Sequence, residues 1–167
     1  MSTPLRKPEP EPTGAAYITT PSPREIHIER VFDAPRELVW RAFTDPGLIA
    51  QWWGRGNRVE IERMEVERGG HWRFVEHGPE GDHGFEGRYR EVSPPERLVQ
   101  TFEWDGMPGY VAVDTSSFED LGDGRTRVVT TSLFHTTEER DGMLDSGMEQ
   151  GLNESYEALD RLLATLH

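Results

Sequence analysis

Two carboxylates occupy positions in the sequence where acid–base chemistry is feasible. Asp114 and Glu76 fall in stretches that alternate between polar and apolar residues, at the alternate positions that otherwise hold aromatic residues. A carboxyl group facing aromatic rings loses hydration, which raises its pKa toward that of a general acid or base. The alternative is that Asp114 is hydrogen-bonded near a sheet edge and Glu76 points into solvent at a strand end. We favour this alternative and assign no catalytic residue, so enzymatic activity stays open, with the balance against it.

The histidines are the candidates for a metal site. His77 and His83 flank the turn GPEGD and could lie opposite each other across a hairpin. No third fixed ligand accompanies them, whereas zinc sites use three or four protein ligands. The sequence also lacks the GxSxG, Walker and dinucleotide-binding motifs. We therefore predict neither a metal nor a cofactor.

A third candidate site is apolar. Alternate positions of the predicted strands bring large rings to one face of a sheet, because successive side chains point to opposite faces. The rings that we assign to a ligand cavity on this face are Trp72, Phe74, Phe85, Tyr89, Phe102, Trp104, Tyr110 and Phe118. The same face carries the polar residues Gln100, Asp114, Ser116, Thr130 and Ser132. A packed aromatic core also fits this pattern, but polar groups in a dry core need partners, which favours the cavity.

Residues 50–56, AQWWGRG, place two tryptophans side by side before a glycine-rich break. Neighbouring side chains on a helix point about 100° apart, so Trp52 shares a stripe with Leu48 and Trp53 shares another with Ile49. We predict that one indole packs against the scaffold and that the other roofs the cavity. The sequence does not assign the two roles, and the alternative is that both rings only fix the helix.

Hydrophobic periodicity predicts the elements that position these residues. Residues 1–23 hold six of the twelve prolines and are predicted to form a disordered tail, and residues 24–167 a single domain. REIHIERVF predicts a strand, and PRELVWRAFTD and the segment after Asp45-Pro46 predict two short helices. Six strands joined by short turns follow between residues 57 and 135.

A long C-terminal helix over roughly residues 137 to 166 completes the predicted order. Thr136 and Glu139 form a capping box at its start, and Met148 and Leu152 face the cavity. Its first half contains three glycines, which are unfavourable in a helix interior and typical of a close approach or a break. The fold class is α+β, with a curved seven-stranded antiparallel sheet around this helix.

The net charge of −13 argues against nucleic acids and anionic membrane surfaces as partners. The chain has no cysteine, which fits a cytoplasmic location, and no apolar stretch approaches the roughly 18 residues that span a bilayer. We expect no membrane insertion. A homodimer stays an open alternative.

Four segments together resemble the START-like (SRPBCC, helix-grip) superfamily: RVFDAPRELVWRAFTDPGLIAQWWG, ERGGHWRF, FEGRYREVSPPERLVQTFEW and MEQGLNESYEALDRLLATL. The most similar branch is named after the C-terminal domain of the activator of the heat-shock-protein-90 ATPase. The resemblance covers residues 24–166. It implies a curved sheet gripping a long helix, with an apolar cavity between them and Trp52 and Trp53 at the cavity mouth. Leu152 stands where many relatives have a tryptophan, which implies a wider pocket there.

Three functions fit these observations. The first is the binding of a small hydrophobic or aromatic molecule, lipid- or polyketide-like, between the sheet and the C-terminal helix. The second is a cyclase-like or hydrolytic enzyme of the same fold. The third is a protein-interaction module of the chaperone-activator type. An unfilled space inside the domain favours ligand binding. An isolated buried carboxylate beside that space favours the enzyme, and a filled core with an exposed apolar patch favours the protein-interaction module.

Overall fold

The computed structural model describes residues 15–166, which form eight strands and four helices. The strands are β1 (Tyr17–Thr19), β2 (Glu25–Phe32), β3 (Arg58–Met64), β4 (His71–Gly78), β5 (Gly81–Ser93), β6 (Arg97–Trp104), β7 (Ala112–Asp120) and β8 (Thr126–Leu133). The helices are α1 (Arg36–Thr44), α2 (Pro46–Ile49), α3 (Thr137–Asp145) and α4 (Met148–Thr165). The predicted α+β class and element order are confirmed, apart from the added β1 and a break in the C-terminal helix.

The strands form one open antiparallel sheet in the order β1-β2-β8-β7-β6-β5-β4-β3. The prediction of seven strands is corrected by β1, in which Ile18 pairs with Ile28 of β2 and packs against the core. The backbone N–H of Ala16 also donates to Asn153 Oδ1 at 2.9 Å. These contacts order a segment that the sequence places in the disordered tail. Residues 1–14 of that tail lie outside the described residues.

One face of the sheet, here called the inner face, is covered by α1 and α4. The ring centroids of Phe118 on β7 and Trp40 on α1 lie 5.2 Å apart. Those of Phe32 on β2 and Tyr156 on α4 lie 5.1 Å apart, and both pairs meet edge-on. Such geometry is favourable for aromatic pairs. Leu159 on α4 is fully buried, and the leucine one turn further along, at position 163, is 2% exposed. Both observations confirm the prediction that these two leucines are buried against the sheet. The hydrophobic core therefore lies between the inner face and these two helices.

The C-terminal helical segment is broken into α3 and α4, which corrects the predicted continuous helix. The N-cap half of the predicted capping box is confirmed, because Thr136 Oγ1 accepts the Glu139 backbone N–H at 3.2 Å at the start of α3, while the Glu139 carboxylate accepts the Thr136 hydroxyl at 2.8 Å. Gly147 separates the helices with a φ of +80°, a left-handed conformation that interrupts a right-handed helix. No residue of α3 is buried, whereas α4 buries one full side against the core.

A buried ion pair joins α4 to β2. Arg30 is 1% exposed and donates to both carboxylate oxygens of Asp160, at 2.9 and 2.7 Å. The same guanidinium lies 4.8 Å from the centroid of the Phe32 ring. Bidentate geometry of this kind fixes both partners, so the second half of α4 is held in register on the sheet. None of the described helices is long and apolar enough to cross a membrane.

Candidate ligand-binding site

Three aromatic rings lie next to one another on the inner face across β5 and β6. Phe85 is the cross-strand partner of Trp104, and its ring centroid lies 5.5 Å from that of Phe102. All three residues are only half-buried, although the neighbouring Trp72 and Phe74 are 1% and 2% exposed. Because protein interiors are close-packed, rings on the core-facing side of the sheet that keep accessible surface are candidates for bordering a space that the protein does not fill.

The two adjacent tryptophans have different surroundings. Trp52 is 5% exposed, and its Nε1 donates to the carbonyl of Ala42 at 2.9 Å. Trp53 is half-buried, and its ring packs edge-on against Phe74 and Phe85 with centroids 5.3 and 5.2 Å apart. Trp52 therefore fixes the segment after α2 to the scaffold, whereas Trp53 borders the half-buried rings.

Hydrophilic side chains form a polar patch beside these rings, and strand register explains their grouping. Asp114 pairs with Gln100 on β6 and with Ser132 on β8. Ser116 and Thr130 are also cross-strand partners, and their hydroxyls share a hydrogen bond of 2.9 Å. All five residues are only partly covered. The polar patch thus lies in the middle of the sheet, next to the half-buried rings.

Asp114 is the ionisable residue of the polar patch. It lies on β7 in the middle of the sheet, so the interpretation that places it near a sheet edge is wrong. Its side chain is surrounded by protein and hydrogen-bonds Ser132, yet part of the residue's surface stays uncovered. A side chain that is enclosed by protein and still keeps accessible surface is expected where the side chain faces an internal space. Loss of hydration raises the pKa of Asp114 to about 6, and the Ser132 hydrogen bond opposes this shift.

Two tyrosines flank the polar patch and stay neutral at physiological pH. Tyr156 on α4 hydrogen-bonds Thr130, and burial raises the pKa of Tyr156 to about 12. Tyr89 on β5 is the cross-strand partner of Gln100, and burial raises its pKa as well. Asp114 is therefore the group of this region that changes charge near neutral pH.

The helices carry long apolar side chains that are also only half-buried. Met143 and Leu144 on α3, with Met148 and Leu152 on α4, pack against the edge of the hydrophobic core. Flexible methionines suit a surface that adapts to different apolar shapes. The predicted cavity residues that pack against the core and keep accessible surface are thus Trp53, Phe85, Phe102, Met148 and Leu152, whereas the half-buried Trp104 lies beside His83.

Other predicted cavity residues lie elsewhere. Tyr110 is 52% exposed in the turn before β7, where the alternation of a strand does not apply. Phe118 is 2% exposed because α1 covers it. Trp72 is buried, and its Nε1 crosses Gly87 to donate to the Thr101 carbonyl at 3.1 Å, an approach that a side chain on Gly87 would block. These residues, with the buried Phe74 and Tyr89, belong to the scaffold or the surface rather than to the unfilled space.

A cleft of about 570 Å³, here called the rim cleft, opens between the break of the two helices and the β4–β5 hairpin. Its lining includes Glu76, His83 and Gly147. Glu76 and His83 are cross-strand partners, each two residues along its strand from an aromatic ring of the inner face. The rim cleft therefore adjoins the half-buried rings at one end of the sheet.

Glu76 is not a free acid or base. It is 1% exposed, and Arg55 donates to both its oxygens, from Nε at 3.1 Å and from Nη2 at 2.6 Å. The interpretation that Glu76 points into solvent is wrong, and its ion pair with Arg55 disfavours a role as a general base. The fold turns the end of β4 under the Arg55 side chain, which the period-two pattern alone does not reveal.

Arg55 is a residue of this region that sequence reasoning missed. Its backbone has a φ of +57°, and its N–H donates to Ser155 Oγ on α4 at 3.0 Å. Its side chain crosses α4 at Gly151, where a Cβ would overlap Arg55 Cδ. The signals in the sequence are the Gly-Arg-Gly triplet and the glycine near the start of the amphipathic helix α4.

The two histidines near the hairpin turn do not face each other. His77 pairs with Asp82, and His83 pairs with Glu76, so the histidines lie on opposite faces of the sheet. The carboxylates of Asp82 and Glu60, at 2.8 and 3.2 Å, raise the pKa of His77. Within residues 15–166 no group of three or more metal-binding side chains is close enough to hold an ion.

An antiparallel sheet covered by a C-terminal helix, with two short helices after the first long strand, defines a START-like domain of the helix-grip fold. The family model for "Activator of Hsp90 ATPase homolog 1-like protein" matches residues 33–164. The chain therefore belongs to this family, as the sequence resemblance indicated.

Solved structures support the fold. A protein from Rhodobacter sphaeroides is 30% identical, with a TM-score of 0.83 and coverage of 91% of this chain and 99% of that one. A protein from Arthrobacter aurescens is 25% identical, with a TM-score of 0.80 and coverage of 89% and 91%. A protein from Mycobacterium smegmatis is 20% identical, with a TM-score of 0.78 and coverage of 90% and 99%, and this similarity shows the fold alone. No curated protein matches the chain.

Proposed function

We propose that the protein binds a small hydrophobic or aromatic molecule between the inner face and the helices α3 and α4. The observation that carries the proposal is the uneven covering of the inner face. Phe85, Phe102 and Trp104 keep accessible surface, whereas rings on the same face next to them are buried. A folded protein gains stability by covering such rings, at about 25 cal/mol per Å² of apolar area. Leaving them open is costly unless a ligand covers them.

The helical side of the site supports the same proposal. α3 is linked to α4 through the left-handed Gly147 and buries no residue; it is held by the half-buried Met143 and Leu144 and by hydrogen bonds from Arg140 to the Ser22 and Glu25 carbonyls. Segments with few buried contacts open most easily. The rim cleft lies at this break and adjoins the half-buried rings, and we propose it as the entrance for the ligand.

A second candidate, acid–base catalysis on the bound molecule, is favoured by Asp114. An enclosed carboxyl group with a pKa of about 6 is suited to proton transfer near neutral pH. Among the described residues of the inner face, the other candidate carboxylate, Glu76, is paired with Arg55 and is not suited to this role. We therefore keep ligand binding as the first proposal and catalysis as the second.

The third candidate, a protein-interaction module, has less support. The large hydrophobic residues that are exposed within residues 15–166 are Met107, Tyr110, Val111 and Leu133, near the β6–β7 turn. This group is small beside a stable protein interface, which removes roughly 800 Å² from each partner. With a net charge of −13, nucleic acids and anionic membranes are poor partners, and we propose a cytoplasmic location.

The test compares the two tryptophans with a neutral apolar fluorescent probe, N-phenyl-1-naphthylamine, which the acidic protein does not repel. Trp53→Phe should weaken probe binding by about tenfold through lost contact area, with little change in stability. Trp52→Phe should lose about 2 to 4 kcal/mol of stability, because it opens a gap and leaves the Ala42 carbonyl without its donor. Its probe affinity should stay near that of the wild type.

Thermal unfolding and fluorescence titration give the two readouts. If both variants lose stability alike and neither changes probe binding, the two rings are structural and the proposed site is wrong. A probe that binds equally well to wild type and Trp53→Phe protein would likewise place the binding site elsewhere.

A further inference from the structure

The carboxylate of Asp114 has unused hydrogen-bonding capacity. An ionised carboxylate offers about four acceptor positions, and the Ser132 hydroxyl fills one of them. Among the ion pairs of residues 15–166, none includes Asp114. Its neighbour in the cross-strand row, Gln100, is itself only partly covered. Because Asp114 lies beside Gln100 and diagonally to Phe102 on the inner face, its remaining acceptor positions are available to a group bound on that face.

Within the described part of the chain, the cation of this region is already engaged by other groups. Arg30 and Asp114 both influence the pKa of Tyr156, and Arg30 is the positively charged residue of the two. Its guanidinium is already held by both oxygens of Asp160 and by the Val31 carbonyl. A buried charge without a partner is strongly unfavourable, so Asp114 gains from a cation that enters with the ligand.

The rings next to the polar patch suit the same ligand. Phe85, Phe102 and Trp104 present partly covered faces, and the faces of aromatic rings attract cations. The net charge of −13 raises the local concentration of cations and disfavours carboxylate ligands such as fatty acids. An apolar molecule with a positive end thus matches both halves of the site.

We infer that the ligand is an amphipathic amine, whose protonated nitrogen is bound by Asp114 and whose apolar body lies against Phe85, Phe102 and Trp104. The inference rests on the proposed function and names the ligand class of the same site. Under this inference Asp114 determines specificity, because a neutral molecule of equal shape makes the same apolar contacts but forms no ion pair with Asp114.

The test uses three probes of nearly equal shape: 1-naphthylmethylamine, 1-naphthylmethanol and 1-naphthoate. Calorimetric titration of the wild type at about pH 7.5 should show the amine binding at least about tenfold more tightly than the alcohol. The naphthoate should bind most weakly. Asp114→Asn should bind amine and alcohol equally, and Asp33→Asn, an exposed change of the same kind, should behave as the wild type.

The preference should also depend on pH. The charge of Asp114 acts on Tyr156 of α4, Tyr89 of β5 lies across from Gln100, the cross-strand partner of Asp114, and Arg30 and Asp160 form the ion pair between β2 and α4. The tyrosines stay neutral and the other two groups pair with each other, so Asp114 controls the titration. Because the carboxyl group becomes neutral below a pKa of about 6, the preference for the amine should shrink at about pH 5.

The outcomes separate the two proposals. Equal binding of amine and alcohol to the wild type overturns the inference and leaves the proposed apolar site intact. A preference for the amine that persists in Asp114→Asn also overturns the inference. If no probe of the series binds, both proposals fail. Should Asp114→Asn not fold, the ligand series and its pH dependence in the wild type decide the question alone.

Discussion

Replacing Gly151 by alanine tests whether the rim cleft is built as described. Alanine is normally the better helix residue, by about 1 kcal/mol, so the change should stabilise α4 if nothing lies over this position. In the structure the Arg55 side chain crosses α4 here. A methyl group would overlap Arg55 Cδ and lie 3.0 Å from Cγ. The guanidinium must then move away from Glu76.

The expected loss of stability follows from the ion pair between Arg55 and Glu76 that the substitution would break. Glu76 is 1% exposed, and breaking a buried ion pair costs about 3 to 5 kcal/mol. The Arg55 side chain is 47% exposed, so water replaces part of the lost interaction and the cost falls toward the lower end. After subtracting the gain in helix propensity, Gly151→Ala should destabilise the protein by about 1 to 3 kcal/mol.

Urea unfolding at about pH 7 measures this change. Gly142→Ala on α3 is the matched control: no atom lies within 4 Å of the position that the new methyl group would take, so it should stabilise the protein by up to about 1 kcal/mol. In a Glu76→Gln background the cost of Gly151→Ala should shrink, because no buried charge is left unpaired. If Gly151→Ala matches Gly142→Ala and raises stability, the account of Arg55 and Glu76 is wrong.

Two further predictions concern buried charges. Asp160→Asn should cost about 3 to 5 kcal/mol in urea unfolding by removing the carboxylate that neutralises the buried Arg30, whereas the exposed Glu157→Gln should stay within about 0.5 kcal/mol; equal effects would refute this. The raised pKa of Asp114 means that the folded state binds its proton more tightly than the unfolded state does. Its contribution to stability is therefore complete below about pH 4 and is lost as pH rises through about 6, by up to roughly 3 kcal/mol. Relative to the wild type, Asp114→Asn should gain stability over that pH range, and parallel pH profiles would show that Asp114 is hydrated.

Much of the fold follows from local sequence signals. Asp45 accepts the backbone N–H groups of Gly47 and Leu48, as expected of a residue that begins a helix before a proline. Period-two alternation correctly predicts that Phe85, Phe102 and the polar patch share one face, because this pattern depends only on strand geometry. The family resemblance then supplies the relation between sheet and helix.

The remaining features depend on tertiary contacts that no local pattern encodes. Tyr17–Thr19 form a strand only because the edge of β2 is free to pair with them. His77 and His83 lie on opposite faces because the hairpin register differs from the expected one by a single residue. Arg55 reaches Glu76 across α4, so the burial of Glu76 depends on where that helix lies and not on the sequence around β4.

The location of the bound molecule tests the central claim most directly. Methyl-labelled protein titrated with N-phenyl-1-naphthylamine and followed by NMR should show shifts in Met143, Leu144, Met148 and Leu152, which lie over the inner face. The methyl groups of Val113, Val129 and Leu133, at alternate positions on the opposite face, should not move. Shifts confined to Met107 and Leu133, or shifts on the outer face alone, would contradict a binding site between the sheet and the C-terminal helices.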